Sequence, residues 1–309
     1  MIVASIDIGT NTILLLIAEV NKVSKQINVL ENIQRIPRIG KGLKENEPMP
    51  EDNIKRMFDV LSDYSLIIKK YNCDKVLLTG TNALRISSNK NEIIKRVKDN
   101  FGYDLNIISG EEEAFYSYSG AIAETDSQTN NLIIDIGGGS TEIIFGRGNE
   151  IKYKKSFNVG VVSGTEKFLL SDPPEQTQIK NFINHALTAF SELVNNIKDI
   201  NKAIAIAGTP TTLAAIKNNL KEYNEDLIEG SFLTKEDLNN FVNELSALSS
   251  NEILNKYQIV KGREDVLLAG TIILKVIMEI LKLDIVAVST KGIRYGAIIN
   301  WLNTSNNLN

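Results

Sequence analysis

The stretch Leu132-Ile-Ile-Asp-Ile-Gly-Gly-Gly-Ser-Thr-Glu-Ile-Ile-Phe145 decides how the rest of the chain is read. An apolar run ends in an acid, three glycines and two hydroxyls follow, and a second acid opens another apolar run. Both runs are short and rich in Ile, which predicts two buried strands joined by a tight turn. Gly137, Gly138 and Gly139 lack a Cβ, so the backbone there can approach a bound group closely. Successive N–H groups in such a turn make an anion nest, to which Ser140 and Thr141 add hydroxyl donors. Asp135 and Glu142 bracket the nest. Two carboxylates beside a phosphate repel it unless a hard cation such as Mg²⁺ lies between them. The plainer reading is a glycine hairpin that merely turns the chain.

The motif has an echo in Ile6-Asp7-Ile8-Gly9-Thr10-Asn11-Thr12, followed by a second apolar run from Ile13. Neither copy is a dinucleotide fingerprint, because the glycines lead into a strand and not a helix. Neither is a P-loop, because no Gly-Lys-Ser/Thr follows. Two copies of one phosphate-type hairpin imply an internal duplication.

A chain of 309 residues favours two domains. The formal net charge of −4 argues against general nucleic-acid binding. A single cysteine, Cys73, excludes an intramolecular disulfide framework and fits a reducing compartment. A single histidine, His185, excludes histidine-based triads and multi-histidine metal sites. The most apolar stretch, Val266 to Leu281, is short and interrupted by Gly270, Lys275 and Glu279. With no basic leader before Ile2, the expectation is a cytoplasmic protein without a membrane span.

Hydrophobic periodicity predicts two β-β-β-α-β-α-β-α units, each opened by an Asp-Ile-Gly hairpin. The polar run Glu124–Asn131 separates them, giving domains at 1–125 and 126–309, with the last helix packing back on the first domain. Two similar α/β domains facing each other would bring their glycine turns into one cleft. This architecture resembles the actin–hexokinase–Hsp70 superfamily, in which duplicated ribonuclease-H-like domains bind phosphoryl groups across an interdomain cleft.

Further segments follow strands. Thr79-Gly-Thr-Asn-Ala-Leu-Arg85 offers the planar fork of Arg85 to phosphate, or else a surface arginine. Ala207-Gly-Thr-Pro-Thr-Thr-Leu-Ala-Ala215 places Gly208 and Thr209 at a helix N-terminus suited to phosphate, or simply caps that helix. Ser289-Thr-Lys-Gly-Ile-Arg-Tyr-Gly296 is similar, with Lys291 and Arg294 as cationic contacts. In Ile108-Ser-Gly-Glu-Glu-Glu-Ala114, Ser109 and Glu112 make a capping box, and all three acids suit a first helical turn. With no usable histidine, a glutamate here is the natural general base. Spacing alone leaves open which one.

Together with Ser171-Asp-Pro-Pro174, these motifs resemble, in order and over about Ile2 to Trp301, the exopolyphosphatase/guanosine pentaphosphate phosphohydrolase family in its short two-domain form. The resemblance implies a phosphoanhydride hydrolase with Glu113 as catalytic base and Arg85 on the phosphate chain. It implies Mg²⁺ (or Mn²⁺) near Asp135 and Glu142, and phosphate bound by Gly9, Thr10, Asn11, Thr12, Gly137, Gly138, Gly139, Ser140, Thr141, Gly208 and Thr209. The implied substrate is inorganic polyphosphate, cut stepwise from its end, with guanosine pentaphosphate as the alternative; a homodimer is also implied. A non-catalytic nucleotide-binding regulator is the reading from a different class. Two positions depart from the family pattern: Leu14 replaces a polar or basic residue, and Ser163 stands where an arginine is common. Arg38, Lys41 and Lys44 offer an exit path for upstream phosphates, and Lys152, Lys154 and Lys155 a second one.

Overall fold

The computed structural model describes residues 1–123, 128–148 and 150–305. It divides into two compact units: unit 1 is 1–120 with 291–309, and unit 2 is 121–290. The boundary expected at 125/126 lies outside the described residues, as do the last four residues of the chain.

Unit 1 opens with a meander of β1 (Ile2–Ile8), β2 (Ile13–Val20) and β3 (Ile27–Arg35). After it come α1 (Glu51–Lys70), β4 (Lys75–Gly80), α2 (Asn82–Ile86), α3 (Lys90–Phe101), β5 (Leu105–Ile107) and α4 (Gly110–Ala121). The sheet runs β3-β2-β1-β4-β5, with β1 antiparallel to β2 and parallel to β4. β1 and β2 read as continuous apolar runs because both sheet faces are covered. Ala4, Ile6, Ile8, Ile13, Leu15 and Ile17 pack on one side with α1 and α3 residues such as Met57, Leu61 and Ile93. Val3, Leu16, Ala18 and Val20 pack on the other against Tyr295, Ile298 and Leu302. The side-chain period of two puts alternate residues on opposite faces.

Unit 2 begins β6 (Asn130–Ile136), β7 (Thr141–Arg147) and β8 (Glu150–Phe157). Three helices follow, α5 (Val161–Phe168), α6 (Gln176–Phe190) and α7 (Leu193–Asn196), then β9 (Lys202–Ile206), α8 (Gly208–Lys217) and α9 (Glu225–Ile228). The unit continues with β10 (Phe232–Thr234), α10 (Lys235–Leu245), α11 (Ser250–Lys256), α12 (Leu267–Ile280) and β11 (Ile285–Val288). Its sheet runs β10-β11-β9-β6-β7-β8. Without the short antiparallel edge β10, the order β8-β7-β6-β9-β11 and its strand senses repeat those of unit 1. Each unit therefore has the ribonuclease-H-like topology, and the chain is a duplicated α/β protein. α12 is apolar except at the Lys275–Glu279 ion pair because α5, α6, α8, α10 and β6 surround it. The last helix, α13 (Ile293–Ser305), returns to unit 1, on β1, β2 and β4.

Two helices start elsewhere than their periodicity predicts. Hydrophobic periodicity places a helix over 211–220, but α8 begins three residues earlier, at Gly208, because Pro210 is tolerated in a first turn, where its missing N–H costs nothing. α12 begins at Leu267, because Arg263 to Val266 form a turn closed on the Arg263 carbonyl. Among the described residues, no helix is long and apolar enough to cross a membrane.

Candidate functional site

The two glycine hairpins are built alike. The Gly9 N–H donates to the Thr12 carbonyl at 3.0 Å, and the Gly137 N–H donates to the Ser140 carbonyl at 2.9 Å. Residues 7–14 match 135–142 position by position, so Leu14 stands where Glu142 stands in the second copy. Across the strands Asp7 faces Leu14, and Asp135 faces Glu142.

In both units the carbonyls of the turn are pinned from behind. In unit 1 the Thr10 and Asn11 carbonyls accept from the backbone N–H groups of Gly40 (2.8 Å) and Arg38 (3.0 Å). In unit 2 the Gly137 and Gly138 carbonyls accept from Val161 (3.0 Å) and Val162 (2.8 Å) at the start of α5. The Ser163 hydroxyl reaches the Gly139 carbonyl at 3.3 Å and accepts from the Gly160 N–H at 3.0 Å. A trans amide points its N–H opposite to its C=O. In each unit by itself the amides therefore face away from these anchors: Asn11 and Thr12 in unit 1, and Gly138, Gly139 and Ser140 in unit 2. That is the geometry of an anion nest. Asn11 is 6% exposed, and its buried Nδ2 has no hydrogen-bond partner, as expected of a donor that awaits an anion.

Two hydroxyls expected to serve the anion are engaged inside the turn. Thr141 Oγ1 donates to the Val159 carbonyl at 2.6 Å, and Ser140 Oγ donates to Glu142 Oε1 at 2.7 Å. In this arrangement Ser140 offers an anion its backbone N–H, and Thr141 braces the turn against the Val159 carbonyl.

The three glutamates that spacing leaves equivalent are separated by the fold. Glu111 and Glu112 are exposed. Glu112 is consumed by the cap of α4: its Oε2 accepts from the Ser109 N–H and hydroxyl, each at 2.9 Å. Glu113 is 6% exposed, and its Oε2 accepts from Arg85 Nη1 at 2.8 Å. The same nitrogen donates to the Ile108 carbonyl at 3.0 Å, which fixes the fork at the foot of α4.

Asp135 and Glu142 lie opposite each other on β6 and β7, both deeply buried. Glu142 Oε1 also accepts from the Ser156 hydroxyl at 2.6 Å. Among the described residues no group of three or more His, Cys, Asp or Glu could hold a metal. Two hard oxygen donors beside an anion nest nevertheless fit Mg²⁺, which is commonly bound by one or two carboxylates plus substrate phosphates. The hydroxyls on Glu142 Oε1 suit a water-mediated contact for that residue. Leu14 leaves the unit 1 hairpin without the equivalent of Glu142.

At the start of α8, Ala207 holds φ 74° and ψ −167°. A Cβ on Gly208 would lie 1.6 Å from Arg263 Nη1, so the guanidinium rests directly on this backbone. Arg263 is 8% exposed. Thr209 is packed against Gly270. Sequence reading missed Arg263, because its loop is distant in the chain and carries no period; the run Gly262-Arg-Glu-Asp265 was the only signal.

In the Ser289–Gly296 segment the polar groups of Ser289 and Thr290 are engaged within unit 2. Both hydroxyls, and the Thr290 N–H at 2.7 Å, go to Glu229. Arg294 is 5% exposed and bonds to Asn32 and the Leu15 carbonyl, a structural role beneath the unit 1 sheet. Of the basic residues, Lys44 pairs with Glu47 and Lys155 with Glu192. Burial pushes the Cys73 thiol up, which suits a structural thiol. His185 packs on Phe168 with ring centroids 4.7 Å apart.

Compared with known proteins, residues 16–305 match the Ppx/GppA phosphatase family. The chain belongs to that family. It is 36% identical, over 96% of its length, to the bifunctional 3-dehydroquinate synthase/phosphatase of Fusobacterium nucleatum, and it spans only 46% of that protein. It is 29% identical to exopolyphosphatase 2 of Mycobacterium tuberculosis, over 88% of each chain. The crystal structure of the Aquifex aeolicus Ppx/GppA family member superposes with a TM-score of 0.84 at 30% identity, over 99% of both chains.

Proposed function

We propose that this chain is an exopolyphosphatase, hydrolysing the terminal phosphoanhydride of inorganic polyphosphate and releasing orthophosphate. The observation that carries this is the selection of one glutamate out of three. Glu113 is buried and paired with Arg85, while Glu111 and Glu112 are exposed and Glu112 is spent on the cap of α4. Family membership and the relative named exopolyphosphatase supply the substrate class.

In this reading Glu113 orients a water molecule and takes its proton, so that the water oxygen attacks the terminal phosphorus in line. Arg85 keeps the carboxylate aimed and neutralises charge nearby. The amides of Asn11, Thr12, Gly138, Gly139 and Ser140, with Asn11 Nδ2, hold phosphoryl oxygens, and Gly208 and Thr209 with Arg263 hold a further anionic group. Asp135 and Glu142 would hold Mg²⁺ or Mn²⁺, which when bound neutralises charge on phosphate oxygens. Orthophosphate leaves, and the polyphosphate is one unit shorter.

The test is orthophosphate release from polyphosphates of several lengths, guanosine pentaphosphate and ATP, with and without EDTA. Release from polyphosphate, abolished by EDTA and reduced ~10²–10⁴-fold by Glu113→Gln, is expected. Release from guanosine pentaphosphate alone would reassign the substrate. Silence on every substrate would point to a non-catalytic regulator.

A further inference from the structure

α4 carries Glu113 in its first turn, and further along it meets the backbone of a helix from the end of the chain. Glu113, Tyr116 and Gly120 are spaced three and four apart and so form one stripe on α4. α13 runs against that stripe with no side chain between the backbones. A Cβ on Gly296 would lie 1.9 Å from the Tyr116 carbonyl oxygen and 2.6 Å from its Cα. A Cβ on Gly120 would lie 2.2 Å from the Gly292 carbonyl oxygen. These obstacles are backbone atoms, which cannot rotate aside. Asn300 Nδ2 adds a bond to the Tyr116 hydroxyl at 3.1 Å, one turn beyond Gly296.

α13 is itself seated firmly on the sheet of unit 1. The Ser5 hydroxyl donates to the Arg294 carbonyl at 3.0 Å. The Arg294 side chain reaches Asn32 of β3 and the Leu15 carbonyl of β2. Tyr295, Ile298 and Leu302 are buried against β1 and β2. The order of support therefore runs from sheet to α13, from α13 to α4, and from α4 to Glu113.

We propose that Gly120, Gly292 and Gly296 are positioning residues for Glu113, and that α13 sets the place of the general base by backbone-to-backbone contact with α4. The inference rests on the assignment of Glu113 as base. A methyl group at Gly296 must push the helices apart by more than an ångström at Tyr116, one turn from Glu113. A misplacement of about that size costs a general base on the order of 100-fold in rate. The phosphate-holding amides lie on other elements and are left in place.

The experiment compares Gly296→Ala, Asn300→Ala, Glu113→Gln and Met57→Ala in polyphosphate hydrolysis, with a thermal melt of each. Met57 is a buried core residue of α1 in the same unit, so its truncation reports general loss of stability. Gly296→Ala is expected to lower kcat by roughly 10–100-fold while KM changes less than about twofold. Asn300→Ala should lower kcat by about threefold or more with KM unchanged, and it decides the matter if Gly296→Ala does not fold. Met57→Ala should lower the melting temperature and leave kcat near wild type below the melt. An inactive Glu113→Gln beside normal turnover in both α13 variants would overturn the positioning role alone. The same kcat loss in Met57→Ala would also overturn it. Near-wild-type Glu113→Gln would remove the base assignment first, and this inference with it.

Discussion

Ala207 shows how much a single residue is made to bear at the start of α8. Its φ of 74° with ψ of −167° lies in a region that glycine alone enters cheaply. The conformation is held by Thr211 Oγ1, which donates to the Ala207 carbonyl at 2.9 Å, and by burial of the helix that follows. Ala207→Gly should relieve the strain and raise stability by about 1 kcal/mol in a denaturant titration. A less stable variant would mean that the methyl group packs better than the strain costs. The sequence could not show this strain, since Ala-Gly-Thr-Pro reads as an ordinary capped start. Nor could it choose among Glu111, Glu112 and Glu113, because a capping box and a catalytic acid look alike at that spacing. Burial and the reach of Arg85 set Glu113 apart from its two neighbours, and both are tertiary.

The elements themselves were largely legible, for local reasons. Short Ile-rich runs gave the hairpins, and the Ser109–Glu112 capping box marked the start of α4. The left-handed Gly102 ends α3. β10 and α9 are three and four residues long, too short to carry a period. What pins each phosphate turn was also hidden. The same task is done by backbone N–H groups of an irregular loop, at Arg38 and Gly40, in one unit and by the first turn of α5 in the other. Only the second device is a helix, and it depends on Gly160, whose added Cβ would sit 2.4 Å from the Gly138 carbonyl oxygen. Gly160→Ala should therefore push the turn off α5, costing about 1–3 kcal/mol of stability. The turn's amides would lose their common direction, so KM for polyphosphate should rise as well. An unchanged KM would show that the array is held by its own glycines and not by α5.

At the scale of the molecule the duplication is symmetrical in topology and asymmetrical in chemistry. Leu14 against Glu142 leaves the facing carboxylate pair to unit 2 alone. The asymmetry extends to acid sensitivity. In unit 2, Lys155 and Tyr153 hold Glu192 well below the usual carboxylate range. For Asp237 and Glu244 burial acts in the opposite sense, and the bonds from Lys217 and Thr234, and from Lys256 and Tyr257, outweigh it. Ser249 lowers Glu252 through its hydroxyl and its N–H. A carboxylate lowered by folding contributes stability that is present above its unfolded value, near pH 4 to 4.5, and is lost as the pH falls below it. His185 acts in the same direction from higher pH: burial first, then Lys167, lowers it. The unfolded chain therefore takes up that proton more readily below about pH 6.5, and stability falls. Unit 1 holds Asp104, lowered by Lys98, and the Glu113–Arg85 ion pair. The chain's single histidine lies in unit 2, so the loss that begins below about pH 6.5 belongs to that unit, which should soften first as the pH drops. The chain's single tryptophan, Trp301, lies on α13 and reports unit 1 alone. Melts at pH 7, 6, 5 and 4 should show the circular-dichroism midpoint falling faster than the Trp301 fluorescence midpoint, the gap opening below about pH 6.5 and widening below about 4.5. Coincident midpoints across that range would mean that the two units unfold as one cooperative body, and that their unequal titration is shared by the whole chain.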